Sequence, residues 1–148
     1  MSEDLPLQHS VLGTFLLPIA QALRLLGLDP IETMAEVGID AAKIANPDWR
    51  IRQEKVSALM AHCVQVSDEE AFGLLAAEQV QPQALHGLGF AWLASDTVYD
   101  GLKRLARFDK LVSTAADLRL VEEGELVLLQ LGRIPLTESF HFATRDYA

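Results

Sequence analysis

The chain has 148 residues, which is the size of one domain and enough to bury a single hydrophobic core. Half of the residues are hydrophobic and 22% are charged, so the composition is that of a globular protein and excludes an intrinsically disordered one. The formal net charge of −9 argues against binding of DNA or an anionic membrane by this chain itself, because phosphate binding depends on Lys and Arg.

The single cysteine, Cys63, excludes an internal disulfide framework and favours a reducing, cytoplasmic location. The segment "MSEDLPLQHS" is acidic and polar, unlike the basic start of a signal peptide. No apolar run approaches the roughly 18–20 residues that cross a bilayer, so no membrane partner is predicted.

The first predicted helix is Leu17 to Leu26, because apolar residues recur there at spacings of three and four and Gly27 follows as a stop. A second short helix is predicted between Asp29, as its N-cap, and Gly38, with Pro30 in its first position. The stretch "DAAKIAN" is interpreted as one further turn.

The segment "RQEKVSALMAHCVQV" predicts a third helix, in which Gln53 and His62 lie off the apolar face. Ser67 and Glu70 form a capping-box pattern that predicts the start of a fourth helix at "AFGLLAAEQ". The apolar face of the third helix carries Val56, Leu59, Met60 and Cys63.

A short apolar helix is predicted to run to about Leu93, and Ser95 is predicted to cap the amphipathic helix that follows. On that helix Asp100 is placed to pair with Arg104, four residues on. Its apolar positions repeat at spacings of four, three, three and four: Val98, Leu102, Leu105, Phe108 and Val112.

From Ala116 the segment "DLRLVEEGELVLLQL" alternates on both sides of "EEGE", which predicts a β-hairpin turning at Glu123 and Gly124. No element is predicted for the tail "TESFHFATRDYA". The predicted class is therefore α+β, with a helical N-terminal two-thirds followed by an antiparallel β-hairpin or small sheet. Residues 1–148 form a single domain, with a helical part at 1–80 and a helix pair plus hairpin at 81–148. Because a lone hairpin is only marginally stable, we expect a truncated domain.

The glycines of "HGLGFAW" do not form a phosphate loop, because Trp92 stands where a third glycine is required and no strand precedes them. Gly87 and Gly89 are instead interpreted as sites of close packing within a buried helix.

Catalytic and metal sites are not predicted. None of the four histidines, His9, His62, His86 and His141, lies at metal-ligand spacing from another, and Cys63 lies on an apolar face where thiols are inert. His86 begins the apolar helix, and a helix-terminal or core role is favoured over a ligand contact or a haem ligand.

Aromatic and basic side chains cluster in the same region. Phe90, Trp92 and Tyr99 are favoured as core residues, although aromatics with a polar handle also suit a pocket wall. The basic residues of the amphipathic helix favour a solvated face, while a site for a carboxylate ligand or an acidic partner stays open: Lys103, Arg104, Arg107 and Lys110.

The segment "LHGLGFAWLASDTVYDGLKRLARFDKLVS" resembles the central signature of the arabinose-binding-like N-terminal effector domain of AraC-type transcriptional regulators. His86-Gly87 match its start, and Arg107-Phe108 match its end with phenylalanine in place of tyrosine. Asp96 replaces a usual proline in the cap between them. Upstream, "LLGLDPIETMAEVGID" and "NPDWRIRQEKVSALM" match in the same order, so the resemblance covers roughly residues 10–133.

The resemblance implies the ligand-sensing and dimerisation domain of a bacterial, cytoplasmic transcriptional regulator. Its implied partners are a small-molecule effector, a second copy of the chain, and DNA only through a C-terminal helix-turn-helix domain absent from this chain. No cofactor is predicted. The pocket is expected where the helical part meets the sheet, with Arg107 as an anchor for an acidic group, and its candidate ligand-binding residues are His86, Phe90, Trp92, Tyr99 and Arg107.

The alternative hypothesis is a stand-alone sensor module that binds a haem-like cofactor or a partner protein. An enzyme is the least supported interpretation, since no catalytic signature is present.

Overall fold

The computed structural model describes residues 9–133 and 142–147, and within them the fold is α+β. The two small sheets are antiparallel: β1 (Ser10–Leu12) pairs with β2 (Arg50–Arg52), and β3 (Ala116–Glu123) pairs with β4 (Leu126–Arg133). Short 3-10 turns occupy Gly13–Leu16, Ala41–Lys43 and Pro82–Leu85. The helices are α1 (Leu17–Leu25), α2 (Pro30–Glu36), α3 (Gln53–Ser67), α4 (Phe72–Ala77), α5 (Gly87–Leu93), α6 (Val98–Val112) and α7 (Phe142–Tyr147).

The main hydrophobic core lies among α1, α3, α4 and α7. Its apolar side chains include Ile19, Leu59 and Phe72, all fully buried. The predicted N-cap of α2 is confirmed, since the Asp29 carboxylate accepts a hydrogen bond of 2.8 Å from the Ile31 N–H. Within the described residues no single helix is long and apolar enough to span a membrane, and Gly13–Leu25 with Pro30–Glu36 qualify only as a pair bent by 118°.

The tail, for which the sequence predicts no element, returns to the helical core as α7. Its residues Ala143, Thr144 and Tyr147 are buried, and it packs against α3 and α4. Gly73 of α4 permits the close contact between α4 and α7, because a Cβ there would lie 2.3 Å from the carbonyl oxygen of Ala143. The C-terminal part of the chain therefore closes on the core that the N-terminal part builds.

The predicted capping box at Ser67 is wrong. The Ser67 hydroxyl donates back to the carbonyl oxygen of Cys63 at 2.6 Å, which ends α3 rather than starting the next helix. Asp68 then takes a left-handed conformation with φ of 53°, and α4 begins only at Phe72. The same hydroxyl accepts a bond of 3.3 Å from the Glu69 N–H, so it closes the turn that follows α3 and not the first turn of α4.

Ser95 is also not the cap of α6. The Thr97 hydroxyl accepts a bond of 3.1 Å from the Asp100 N–H, whereas Ser95 donates to the carbonyl oxygen of Ala91 at 2.9 Å. Asp100 forms its ion pair with the Lys103 ammonium group, at 3.5 Å, and not with Arg104 as predicted. The hydrogen bond from Thr97 is the main reason that the pKa of Asp100 is lowered.

The hairpin forms as predicted, with its two-residue turn one position later, at Gly124 and Glu125. Gly124 has a φ of 63°, a left-handed conformation that glycine adopts without strain. The pairing of Leu118 with Leu131 and of Leu120 with Leu129 places four leucines on one face. Strand β3 packs against α6, so the hairpin covers one side of that helix.

The prediction of close packing is confirmed for Gly89 and is wrong for Gly87. A Cβ at Gly89 would lie 2.0 Å from the carbonyl oxygen of Pro82, whereas one at Gly87 would meet nothing within 4 Å. Gly101 has a similar role that the sequence did not indicate, since its Cβ would lie 2.8 Å from the Trp92 ring. The two glycines Gly89 and Gly101 therefore let α5 fit between the 3-10 turn and α6.

Candidate functional site

A cavity of about 250 Å³ lies between α6, the hairpin and α7, above the helical core. It occupies the junction where the sequence places a pocket, between the helical part and the sheet. Its lining residues come from nearly every element around this junction: Val11, Phe15, Gln53, Val56, Leu85, Leu88, Leu105, Asp109, Val112, Ser113, Ala115, Ala116, Leu118, Leu131, Thr144, Arg145 and Tyr147.

Two aromatic residues anchor the wall next to α7. The rings of Phe15 and Tyr147 lie 4.7 Å apart, and the Tyr147 hydroxyl donates a hydrogen bond to the carbonyl oxygen of Phe15. Burial raises the pKa of Tyr147 far above its ordinary value, so this hydroxyl keeps its proton and acts as a donor. Because this bond joins the tail to the N-terminal segment, it holds α7 against the cavity.

A small apolar cluster, against which Phe15 also packs, forms a second part of the wall. Leu12, Leu88 and Val112 are buried together, with Leu85 and Leu105 packed against them. These residues come from β1, α5 and α6, and the cluster is separate from the main core. A change in the position of α6 would therefore move part of the cavity wall directly.

The polar groups in the wall fall into two classes. The carboxylate of Asp109 accepts a bond of 2.8 Å from the Leu118 N–H, and the Ser113 hydroxyl accepts one of 3.1 Å from the Ala115 N–H. In contrast, the Thr144 hydroxyl oxygen is buried and has no hydrogen-bond partner among the described residues. An unpaired buried hydroxyl costs free energy, and because this oxygen has almost no accessible surface, a molecule in the cavity does not reach it.

Two of the residues that line the cavity are largely exposed. Arg145 and Leu131 both line the cavity. The side chain of Arg145 is 72% exposed, and Leu131 as a whole residue is 47% exposed. Gln53 lies deeper in the wall and is only 6% exposed, although the sequence pattern places it off the buried face of α3. The site therefore has an open side and a buried side.

Arg50 holds the end of α6 against β1. Its guanidinium donates to the Ser10 hydroxyl at 2.8 Å, to the Ser10 carbonyl oxygen at 3.1 Å and to the Leu111 carbonyl oxygen at 2.9 Å. Partial burial lowers the pKa of Arg50 from its ordinary value. Because Val112 follows directly and lines the cavity, this contact positions part of the wall.

The five ligand-binding residues predicted from the sequence lie on α5 and α6, and none of them lines this cavity. His86 is exposed at the start of α5 with a φ of 53°, and Phe90 is exposed on the same helix. Trp92 packs on Gly101. Ligand contact by these residues stays a prediction, and it would use the α5–α6 surface rather than the cavity.

Tyr99 and Arg107 are occupied by neighbours on the outer side of α6. The Tyr99 hydroxyl donates to the carboxylate of Glu122, and this bond is the main reason that the pKa of Tyr99 is raised. The Arg107 guanidinium lies 5.3 Å from the centre of the Phe108 ring. Of the histidines, His62 binds Glu36 at 2.5 Å, and His141 lies outside the described residues.

Sequence reasoning missed the wall residues that come from distant parts of the chain, such as Phe15, Gln53, Thr144 and Tyr147. One available signal was the spacing of four between Ala143 and Tyr147, which places both on one helical face. No local pattern indicates that this face meets Phe15, because the two segments are 132 residues apart.

Cys63 provides a test of the packing around α3. The thiol is fully buried, and burial raises its pKa from 9.0 to about 12. At pH 8 the thiolate fraction should be about a thousandfold lower than in the unfolded chain, so we expect iodoacetamide to label native protein far more slowly than protein in urea. Equal labelling rates, measured by mass spectrometry, would contradict this packing. The raised pKa also means that stability falls as pH rises from the ordinary thiol pKa toward 12.

Residues 27–145 match the family described as the N-terminal arabinose-binding domain of AraC transcription regulators. The match includes α2 to α6, the hairpin and part of α7, and hence most of the cavity wall. It confirms the resemblance found in the sequence. A comparison with curated proteins finds no match.

Proposed function

Because this chain belongs to the family of N-terminal arabinose-binding domains of AraC transcription regulators, we propose that it senses a small molecule through the cavity at the α6–hairpin–α7 junction. Membership of the family makes the chain a ligand-sensing regulatory domain. The finer assignment, to this cavity, is carried by one observation: a largely apolar cavity of about 250 Å³ lies at this junction, and most of the residues that line it fall within the family match.

The cavity is suited to coupling ligand binding to a change in structure. Its walls come from α3, α6, α7 and the hairpin, so one bound molecule would contact elements that otherwise meet only in part. A ligand shifts an equilibrium only by its difference in affinity for two arrangements. In this proposal the ligand favours the arrangement in which α6 and the hairpin close on α7.

We propose that the regulated output is DNA binding by a further, helix-turn-helix domain of the same protein. The net charge of −9 supports a division of labour in which this domain does not bind DNA itself. In this proposal the protein acts in the bacterial cytoplasm, where such a regulator meets both its effector and its operator.

A thermal-shift screen tests the sensing function. Amino acids, sugars, fatty acids, small carboxylates and neutral alcohols are added to the chain, and a compound at about 100 times its Kd should stabilise it by about 2.7 kcal/mol. For a domain of this size the melting temperature should rise by roughly 5–10 °C. If no compound raises it, the proposed function is wrong.

The location of the site is tested with Ala116→Leu, which fills the cavity from β3, and with Ala106→Leu as a matched control. Ala106 lies on α6 and does not line the cavity. The thermal shift should disappear in the first variant and remain in the second. A shift that is retained in Ala116→Leu but lost in Trp92→Phe or Arg107→Ala would place the site on the α5–α6 surface.

We further propose that two copies of the chain pair through the hairpin. Two observations support this pairing. Apolar residues are exposed on the hairpin, and the outer edges of this two-stranded sheet have no strand partner in the described part of the chain. Leu126 is 64% exposed near the turn, and Val127 and Leu129 are exposed beside it. Isolated hairpins of this kind are stabilised by further packing.

Leu126→Lys should weaken this self-association by at least about tenfold, because a charged side chain would be desolvated at the interface. Sedimentation velocity over a concentration series measures the dimer Kd. The matched control is Ile31→Lys on α2, where the isoleucine is 67% exposed and lies away from the hairpin. A wild-type chain that stays monomeric at high concentration, or an equal effect of both variants, would contradict pairing through the hairpin.

A further inference from the structure

One face of α6 combines basic and apolar side chains that are exposed to solvent. Four of the twelve Lys and Arg residues of the chain lie on this helix, together with only two acidic residues. The helix is therefore locally basic within a chain of net charge −9, and a cluster of like charge favours association with a surface of opposite charge. The exposed part of α6 is called the basic face below and consists of Lys103, Arg107, Phe108 and Leu111.

The basic face has the chemistry of a protein interface. Leu111 is 60% exposed and Phe108 is 42% exposed, and the Arg107 guanidinium lies beside the Phe108 ring. Arginine and aromatic residues are enriched at interfaces, because they bury a large area and arginine can bind a carboxylate with two donors. Within the described residues Arg107 has no carboxylate partner. Its guanidinium is therefore available to a carboxylate of another molecule.

The turn of the hairpin carries the opposite charge. Glu123 and Glu125 flank Gly124 and are both exposed, and Leu126 follows them with its side chain also exposed. Glu123, Glu125 and Leu126 are called the acidic turn below. The acidic turn places carboxylates beside an apolar side chain, and the basic face places cations beside apolar side chains. The two surfaces are therefore complementary both in charge and in apolar area.

The two surfaces point in different directions within one chain. Strand β3 lies on the side of α6 that carries Asp109, whose carboxylate accepts a hydrogen bond from the backbone of that strand. Arg107 and Leu111 are each two positions from Asp109, so each lies about 160° around the helix axis from it. Glu122 bonds to Tyr99 in the first turn of α6, and the acidic turn follows beyond that end of the helix. The acidic turn is therefore held away from the basic face of its own chain.

We propose that, in a pair of copies, the acidic turn of one chain lies on the basic face of the other. The occupant is a second copy because the same chain supplies both complementary surfaces and holds them apart. The cations of the basic face bind the carboxylates of the turn, and Leu126 covers the apolar side chains beside them. This inference rests on the pairing through the hairpin proposed above, and it names the surface that the hairpin meets.

Charge reversal with two variant chains tests this contact. The first variant is Lys103→Glu with Arg107→Glu, and the second is Glu123→Lys with Glu125→Lys. Each variant alone should self-associate at least about tenfold more weakly than the wild type, because like charges then face each other. An equimolar mixture should pair about as tightly as the wild type, since each acidic surface then meets a basic one. Sedimentation velocity measures the Kd, and native mass spectrometry with one variant isotopically labelled identifies the mixed pair.

The matched control is Arg24→Glu with Lys43→Glu, which changes the net charge by the same amount on α1 and on the 3-10 turn Ala41–Lys43. Its self-association should stay within about threefold of the wild type, because these exposed residues lie on other elements. Circular dichroism checks that every variant is folded. Equal weakening by the control, or a mixture of the two variants that stays monomeric, would overturn the contact.

Two further outcomes separate this inference from the proposed pairing. If Leu126→Lys weakens self-association and Lys103→Glu with Arg107→Glu does not, the hairpin meets another surface and this inference is wrong. A wild-type chain that stays monomeric at high concentration overturns both. If the α6 variant leaves self-association unchanged but abolishes a thermal shift caused by a small carboxylate, the basic face is a ligand site and this inference is again wrong.

Discussion

Gly89→Ala is expected to lower the free energy of unfolding by about 3 kcal/mol, at the upper end of the cost of overpacking. The added Cβ would lie 2.0 Å from the carbonyl oxygen of Pro82 and 2.7 Å from its carbon, both of which are backbone atoms. Backbone cannot move aside as the end of a flexible side chain can, so α5 must separate from the 3-10 turn. Urea unfolding followed by circular dichroism measures the change.

The separation would also reach the cavity, because Leu85 on the turn and Leu88 on α5 both line it. The Thr14 hydroxyl donates to the carbonyl oxygen of Ala84 at 3.1 Å and holds the turn in place, which limits how far the turn can yield. We therefore expect weaker binding of any ligand found in the screen, measured on folded Gly89→Ala at low temperature.

The matched control is Gly87→Ala, two residues earlier in the same helix. Its Cβ would meet nothing within 4 Å, and alanine has a helix propensity about 1 kcal/mol better than glycine. The control should be neutral or slightly stabilising. Similar losses for both variants would mean that general helix effects, rather than contact with Pro82, decide the role of Gly89.

Arg50→Met is expected to cost about 2–3 kcal/mol. The substitution keeps an apolar stem but removes the donors to Ser10, to the Leu111 carbonyl oxygen and, at 3.4 Å, to that of Val112. Bonds to a charged donor contribute about 1.5–3 kcal/mol each, and they are not additive. The partial exposure of Arg50 lets water replace part of this loss.

Arg52→Met, on the same strand, is the control for Arg50. Arg52 is exposed, so its replacement should change the free energy of unfolding by less than about 0.5 kcal/mol. Arg50→Lys should lie between the two, because an ammonium group cannot reproduce the planar set of donors that spans several acceptors. Hydrogen exchange of the last turn of α6 should increase in Arg50→Met, and unchanged exchange there would contradict its role as a clamp.

The helices that the sequence predicts well are those whose signals are local. Asp29 and Pro30 mark the start of α2, and the buried face of α3 follows the spacing of Val56, Leu59, Met60 and Cys63. Each of these signals is complete within a few residues. The predicted caps of α4 and α6 are wrong, although α4 begins at Phe72, within the predicted segment. The Ser67 and Ser95 hydroxyls donate to carbonyl oxygens one turn back, and sequence spacing alone does not show this.

The cavity lies at the junction where the sequence places a pocket, and the five ligand-binding residues predicted from the sequence lie outside its wall. A junction between the helical part and the sheet follows from the order of the elements. The composition of the wall requires knowing that α7 returns to α4 and that Tyr147 meets Phe15, which no local pattern encodes. The aromatic residues on α5 and α6 were conspicuous in the sequence, and the structure places them outside the wall of the cavity.

The sequence by itself determined the class of the fold, the family and the acidic net charge, because periodicity, motif order and composition are properties of the chain alone. Only the tertiary structure decided where the cavity lies, which residues line it and which glycine is a close contact. The cavity depends on segments far apart in the chain, such as Phe15 and Tyr147, and the role of Gly89 depends on how the 3-10 turn folds back onto α5. Their energies depend on distances that exist only once the chain has folded.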